Sequence, residues 1–175
     1  FQEVGDGAIP ISSLQIEVQK CSVKLACVLN HTFHSRLPIV IQGNIDRNRH
    51  KICFAFIFKN RYYGTALWSS PVAANRLKNG EKLLELRRLA LADDCPKNTA
   101  SRVIKVMIKE IKKEFPDIIE LISYQDTESH FGTIYKASNW IKSEKDVEYS
   151  DWAKSRKRNK AQTKSKKIKW RYPIR

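Results

Sequence analysis

The sequence predicts an α/β protein: a mixed central sheet with helices on both faces, closed by a basic C-terminal loop and a final strand. Three observations predict it. Residues 52–58 form a continuous run of β-formers, and residues 62–68 repeat the pattern after the turn-like Lys59-Asn60. Residues 101–115 have apolar positions at helical spacing. The order strand–helix–strand–strand–strand–helix–strand–helix–strand–loop–strand alternates the two element types, as layered α/β proteins do.

Each element has its own reason. Residues 1–13 contain Gly, Pro and Ser without periodicity and read as a lead-in. Leu14 to Val18 alternates apolar and polar, as a half-buried strand does. Lys20 to about Leu29 suits a short helix, with His31–Pro38 as a connection. Residues 52–58 and 62–68 form a hairpin of central strands, and Ser69–Glu81 is a polar loop. Leu83–Leu91 is the next strand, with Leu84, Leu86 and Arg88 on one side and Glu85, Arg87 and Leu89 on the other. One of the two arginines must then face the core or a cleft, which calls for an acid or a ligand beside it.

After the break at 93–100, Val103, Ile104, Met107, Ile108 and Ile111 line one helix face and Lys105, Lys109, Lys112 and Lys113 the other. Asn98 or Thr99 is the expected N-cap, and Pro116 ends the segment. Ile118–Tyr124 is a buried strand, Gly132–Ser138 a short helix, and Asn139-Trp140-Ile141 the start of another strand. Ile168, Trp170 and Tyr172 alternate with Lys167, Lys169 and Arg171, which predicts a last amphipathic strand.

The 175 residues carry 33 Lys+Arg against 18 Asp+Glu, a formal net charge of +15. The excess is local. Residues 153–175 hold eleven Lys/Arg and no acid, leaving 22 basic and 18 acidic residues in 1–152. A mildly basic domain, 1–152, thus continues into a basic segment and strand, 153–175, of the same domain. No run approaches the roughly 18–20 apolar residues that span a bilayer. There is no signal-peptide pattern, although the chain starts at Phe1 and a start is missing or processed. Cys21, Cys27, Cys53 and Cys95 show no CxxC spacing, so reduced thiols and a cytoplasmic location are expected.

Four places carry chemistry. Asp94–Arg102 follows a strand and opens a helix, where free amides favour an anion such as pyrophosphate. Lys97 and Arg102 add charge there and Thr99 and Ser101 add hydroxyls, while plain helix capping explains the same residues. Ser123–His130 follows a buried strand, where open α/β sheets bind ligands. Asp126, Glu128, His130, Tyr124 and Tyr135 offer a general base and an acid, and a polar surface loop is the alternative. His31 and His34 share a spacing that suits a metal, with His130, Asp126 and the cysteines as further ligands, although unrelated loop histidines fit too. Finally, Lys154, Arg156, Lys157, Arg158, Lys160, Lys164, Lys166 and Lys167, flanked by Trp152, Trp170 and Tyr172, suit a phosphate backbone with stacking on unpaired bases. A solvated loop is the alternative, and an anionic membrane is disfavoured because no apolar face accompanies the charge.

Four blocks in order are Leu84–Leu91, Asp94–Arg102, Ser123–Asp126 and Gly132–Trp140, with His34-Ser35-Arg36-Leu37-Pro38 before them. Together they resemble the phage Mom-type DNA modification proteins, a divergent branch of the GNAT (N-acetyltransferase-like) superfamily, over roughly residues 30–141. The resemblance implies a GNAT-like fold. It also implies modification of the adenine exocyclic amine in double-stranded DNA with a group related to glycinamide, which shields DNA from restriction. In the superfamily the turn after the fourth strand binds CoA pyrophosphate through a Gly-rich pattern. The matching turn, Lys97-Asn98-Thr99-Ala100-Ser101-Arg102, has no glycine. Tyr135 and Asn139-Trp140 stand where GNAT proteins carry Tyr and Gly-Phe near the cofactor. Iron is also implied for Mom-type proteins, with His34 as a ligand.

The expected catalytic residues are therefore Asp126 as base, Tyr124 and Tyr135 as stacking or acid groups, and His34 as ligand or shuttle. Arg88, Lys97, Asn98, Thr99, Ser101, Arg102 and Asn139 would hold the donor or a phosphate. Two other readings stand beside this one. One is a CoA-dependent N-acyltransferase acting on protein, RNA or a small amine. The other is a nucleic-acid-binding module on a GNAT-like frame without catalysis.

Overall fold

The structure, a computed structural model, describes residues 8–33, 39–71, 82–127, 131–144 and 167–174. The expectations at His34, Glu128, His130, Lys154, Arg156, Lys157, Arg158, Lys160, Lys164 and Lys166 lie outside them. The elements are β1 (Glu17–Cys21), α1 (Val23–Phe33), α2 (Gln42–Asp46), β2 (Lys51–Phe58), β3 (Arg61–Ser69), β4 (Leu83–Leu91), α3 (Thr99–Glu114), β5 (Glu120–Asp126), α4 (Thr133–Ala137), β6 (Ile141–Lys142) and β7 (Lys167–Pro173). The strands form one sheet in the order β1-β2-β3-β4-β5-β7-β6. All neighbours are antiparallel except β4 and β5. The mixed sheet with helices on both faces is the predicted fold class.

The hairpin turns at Lys59 and Asn60, both at positive φ (44° and 62°), which matches the right-handed twist of the paired strands. One face of the sheet carries the main core. Phe54, Phe56, Tyr63, Ala66, Trp68, Leu84, Leu86 and Leu121 pack there against Val103, Ile104, Met107, Ile108 and Ile111 of α3. The lysine side of α3 is exposed. The indole of Trp68 donates to Met107 Sδ at 3.4 Å. On the opposite face a smaller cluster joins Ala26, Ile45, Cys53 and Leu67, and α1 packs over β2, β3 and β4.

Local chemistry moves several boundaries. Leu14 belongs to a 3-10 turn, Ser13–Gln15, and the strand starts at Glu17. The cause is a reciprocal cap: Ser12 Oγ accepts the Leu14 amide at 3.3 Å, and Gln15 Oε1 accepts the Ser12 amide at 3.1 Å. Helix α1 runs through His31 to Phe33, so the connection is shorter than expected. Asn98 occupies the N-cap position of α3 but its side chain caps nothing, because its backbone is left-handed (φ 67°). Asn139 is also left-handed (φ 66°), so β6 begins only at Ile141.

The faces of β4 depart most from simple alternation. Arg88 stands opposite Leu67 and Leu86 opposite Trp68, so Arg87 is an extra residue in a β-bulge. Leu84 and Leu86 face the main core, and beyond the bulge Leu89 and Leu91 pack against that same core. Arg88 therefore shares the α1 face with Leu67, not the face of Leu84 and Leu86.

The four cysteines are free thiols. Cys21 and Cys53 are cross-strand partners, and Cys27 packs beside them. Burial pushes the Cys53 thiol up to about 12 and Cys21 to about 11. Thiolate is what alkylates, so iodoacetamide should label these two slowly at pH 8 and faster only as pH climbs above 10, as intact-mass spectrometry would read. A second prediction concerns Gly64, at φ 151°, where a Cβ would lie 2.2 Å from the Ala90 carbonyl oxygen. Gly64→Ala should cost about 2–3 kcal/mol in urea unfolding, since a backbone pinned by its neighbour strand cannot relax.

Candidate active site

Strands β4 and β5 are paired in parallel only from Leu83/Glu120 to Leu86/Ser123. Beyond that point β4 stays with β3 as far as Leu91, and β5 stays with β7 as far as Asp126. The ladder between the two strands ends there, and an opening begins where Arg87 and Tyr124 follow the last paired residues.

Register sorts the side chains around this opening. Ile122 pairs with Glu85, and Glu85 pairs with Ser69. By alternation Ile122, Tyr124 and Asp126 point to the α1 face, with Arg87 and Arg88. On β7 the partners of Ile122, Tyr124 and Asp126 are Arg171, Lys169 and Lys167, so a basic row shares that face. Arg171 donates from Nε to Glu120 Oε1 at 2.7 Å. Tyr124, Asp126, Lys167 and Lys169 are all half-buried. The structure therefore brings Tyr124, Asp126, Arg88 and Lys167 onto one face at the mouth of the opening.

Tyr135 is not among them. It lies on the α3 side with Ser123, where the two hydroxyls are 2.8 Å apart. Its ring stacks on Trp170 (centroids 5.3 Å, planes 15° apart) and meets the edge of Trp140. Burial pushes its phenol above the usual tyrosine value, against the opposing effect of the Ser123 bond. In this position it is a core residue that ties α4 to β5. Asn139 ends α4 on the same side, and its amide donates to Lys136 O. Gln125 Oε1 accepts the Trp170 indole N–H at 2.8 Å. The left-handed Gly132 has no room for a side chain, since a Cβ there would meet that same oxygen at 2.5 Å.

The β4–α3 turn spends much of its hydrogen-bonding capacity internally. Thr99 Oγ1 donates to Pro96 O at 2.7 Å and Ser101 Oγ to Asn98 O at 3.1 Å. Arg102 Nη1 donates to Ile16 O at 2.6 Å, tying α3 to the residue just before β1. Asp94 pairs with Arg61 at 3.0 Å. Lys97 is exposed, and it and the first-turn amides are what the turn offers an anion.

For a metal the described residues do not fit. None of their His, Cys, Asp and Glu side chains gather in threes, and His31 stands exposed in the last turn of α1. Among the described residues no helix is long and apolar enough to cross a membrane.

The Mom protein family model matches residues 42–173. The chain belongs to the Mom protein family. The match starts beyond His34–Pro38 and extends past Trp140 through β7, so the Mom signature includes the final strand. The fold is that of GNAT acetyltransferases. Ribosomal-protein-S18-alanine N-acetyltransferase from Escherichia coli superposes with a TM-score of 0.62 at 11% identity, covering 91% of this chain and 94% of that one. Spermidine N-acetyltransferase from Vibrio cholerae, solved with CoA and spermine, gives 0.62 at 8% identity over 92% and 96%. A GNAT-family acetyltransferase from Streptococcus pneumoniae gives 0.61 at 11% identity over 91% and 99%. A search of curated protein sequences returns no match.

The sequence calls for an acid or a ligand beside one of the two successive arginines of this Mom protein, and the structure sets Glu85 Oε1 3.9 Å from Arg87 Nε. Two successive arginines in an otherwise alternating strand were the available signal, and strict period-2 reading hides a bulge. A test of the Tyr135 assignment follows. Ser123→Ala should cost about 1–3 kcal/mol by leaving the buried Tyr135 hydroxyl without its partner. Adding Tyr135→Phe should recover part of that loss in a double-mutant cycle read by chemical denaturation.

Proposed function

We propose that this protein is a DNA-modifying transferase acting on the exocyclic amine of adenine. One observation carries the reading: Asp126 stands directly opposite Lys167, so the carboxylate at the mouth of the β4–β5 opening adjoins the point where the basic segment joins the sheet. Membership of the Mom family supports DNA as the substrate class.

The row Lys167, Lys169 and Arg171, continued in sequence by the seven Lys/Arg of 154–166, supplies a salt-dependent grip on phosphates. The adenine amine is paired inside a duplex, so the base must leave the stack to react. Tyr124, two residues before Asp126 on the same face, offers its ring to that base. The amine nitrogen then bonds to the donor carbon, one amine proton passes to the Asp126 carboxylate, and the donor's leaving group departs.

A CoA-dependent N-acyltransferase is the second reading, and the parted strands beside the first turn of α3 favour it. An extended acyl-CoA would run through the opening and hold its pyrophosphate on that turn and Lys97. Calorimetry with acetyl-CoA separates donor identity from target identity.

The decisive experiment co-expresses the protein with a plasmid and digests the DNA to nucleosides for mass spectrometry. A new adenosine-derived mass is expected. Soluble protein with unmodified adenine would sink the proposal. Asp126→Asn should remove the product and leave DNA affinity within about twofold, since the carboxylate repels rather than binds phosphate. Lys167→Ala with Lys169→Ala should lower the slope of log affinity against log salt by about 2, one for each lost phosphate contact.

A further inference from the structure

The bulge in β4 places two consecutive guanidiniums on one face of the sheet. Leu86 and Leu89 on either side of them turn into the core, and the single residue Leu67 stands opposite the bulge. The two arginines are treated differently. Arg87 Nη1 donates to Ser69 Oγ at 3.0 Å, and its Nε lies 3.9 Å from Glu85 Oε1. Arg88 Nη1 donates to the carbonyl of Arg87 at 2.7 Å, a neutral partner. Its Nε is buried and has no hydrogen-bond partner among the described residues. Burial holds both groups below the usual arginine value, and for Arg88 the neighbouring charge of Arg87 acts in the same direction.

Two half-buried cations with one carboxylate between them leave an excess positive charge and an unused donor. Burial of that kind is costly unless an anion completes it. Guanidinium is the group suited to a bidentate oxyanion. The location adds meaning, since the bulge lies where β4 and β5 part, on the face of Tyr124 and Asp126.

We propose that Arg87 and Arg88 form an oxyanion subsite for a substrate phosphate, with Arg88 as the main donor and Arg87 held in place by Ser69 and Glu85. This deepens the reading of the function above and rests on it for the identity of the substrate. Two sources share the chemistry: the phosphodiester beside the target nucleotide, and a phosphate of the donor.

The test measures inorganic phosphate binding by calorimetry, with chloride salt held constant, on the full chain and on Arg88→Met, Arg88→Lys and Lys97→Met. Arg88→Met should weaken phosphate by about tenfold or more, Arg88→Lys by less, and Lys97→Met little. Arg88→Met should also melt no lower than the parent in phosphate-free buffer, because an uncompensated buried charge has been removed. A lower melting temperature together with unchanged phosphate affinity would make Arg88 structural and overturn the subsite. So would the absence of saturable phosphate binding to the parent.

Competition then names the source. Displacement of phosphate by an adenine-containing trinucleotide assigns the DNA phosphodiester, and displacement by CoA assigns the donor. If neither competes, the site serves no substrate phosphate and the proposal fails. Because phosphate binding is read without turnover, an unmodified plasmid alongside an intact Arg88-dependent site would sink the DNA reading alone.

Discussion

The parting of β4 from β5 is the constraint on which the rest of the molecule depends. Four paired positions hold the two strands together, and then each continues with a different neighbour. A sheet interior normally satisfies its own amides and carbonyls, which leaves no room for a ligand. Where the ladder ends, the facing edges of β4 and β5 no longer pair with each other, although neither strand lies at the outer margin of the sheet. The bulge at Arg87 contributes to the same event by adding one residue to β4 where the separation begins.

The two faces of the opening have different characters. The α3 side is an aromatic layer in which Trp68, Trp140, Tyr135, Trp170 and Tyr172 pack edge and face. Two of its polar pairs are internal, Tyr135 with Ser123 and Trp170 with Gln125, while the buried Trp140 indole N–H has no hydrogen-bond partner among the described residues. The α1 side carries Arg87, Arg88, Tyr124, Asp126, Lys167 and Lys169. Helix α1 packs over β2, β3 and β4, so the polar side chains of β5 and β7 are set laterally from it. The charged and half-buried polar side chains thus lie on one side of the sheet and the packed aromatic layer on the other.

Much of this was legible in the sequence, for identifiable reasons. The hairpin, α3 and β7 were visible because their patterns repeat over several turns or pleats: Val103 to Ile111 at helical spacing, Ile168 to Tyr172 at strand spacing. Asp126 and Tyr124 were legible because they close a buried strand. What could not be read depends on single residues or distant contacts. Leu14 fits a strand pattern, yet the Ser12–Gln15 cap draws it into a turn. Tyr135 sits eleven residues after Tyr124 and joins it in sequence, but alternation on β5 sends Ser123 and its partner Tyr135 to the other face. Arg102 reads as a phosphate ligand by its place in the first turn of α3, and in space it reaches the Ile16 carbonyl. The faces of β4 were misassigned because one added residue reverses everything downstream of it.

The position of β7 has a bearing on how the chain becomes competent. It is the last strand in sequence, yet it is inserted between β5 and β6 rather than added at the margin. Until Lys167–Pro173 has emerged and threaded into place, β5 has no second neighbour, the rings of Tyr135 and Trp140 lack Trp170 and Tyr172, and β6 has nothing to pair with. Such non-local pairing is slow to form. The sheet is therefore complete around β5 only when its last strand in sequence has taken an interior place, and the Lys167–Asp126 register is set at that point.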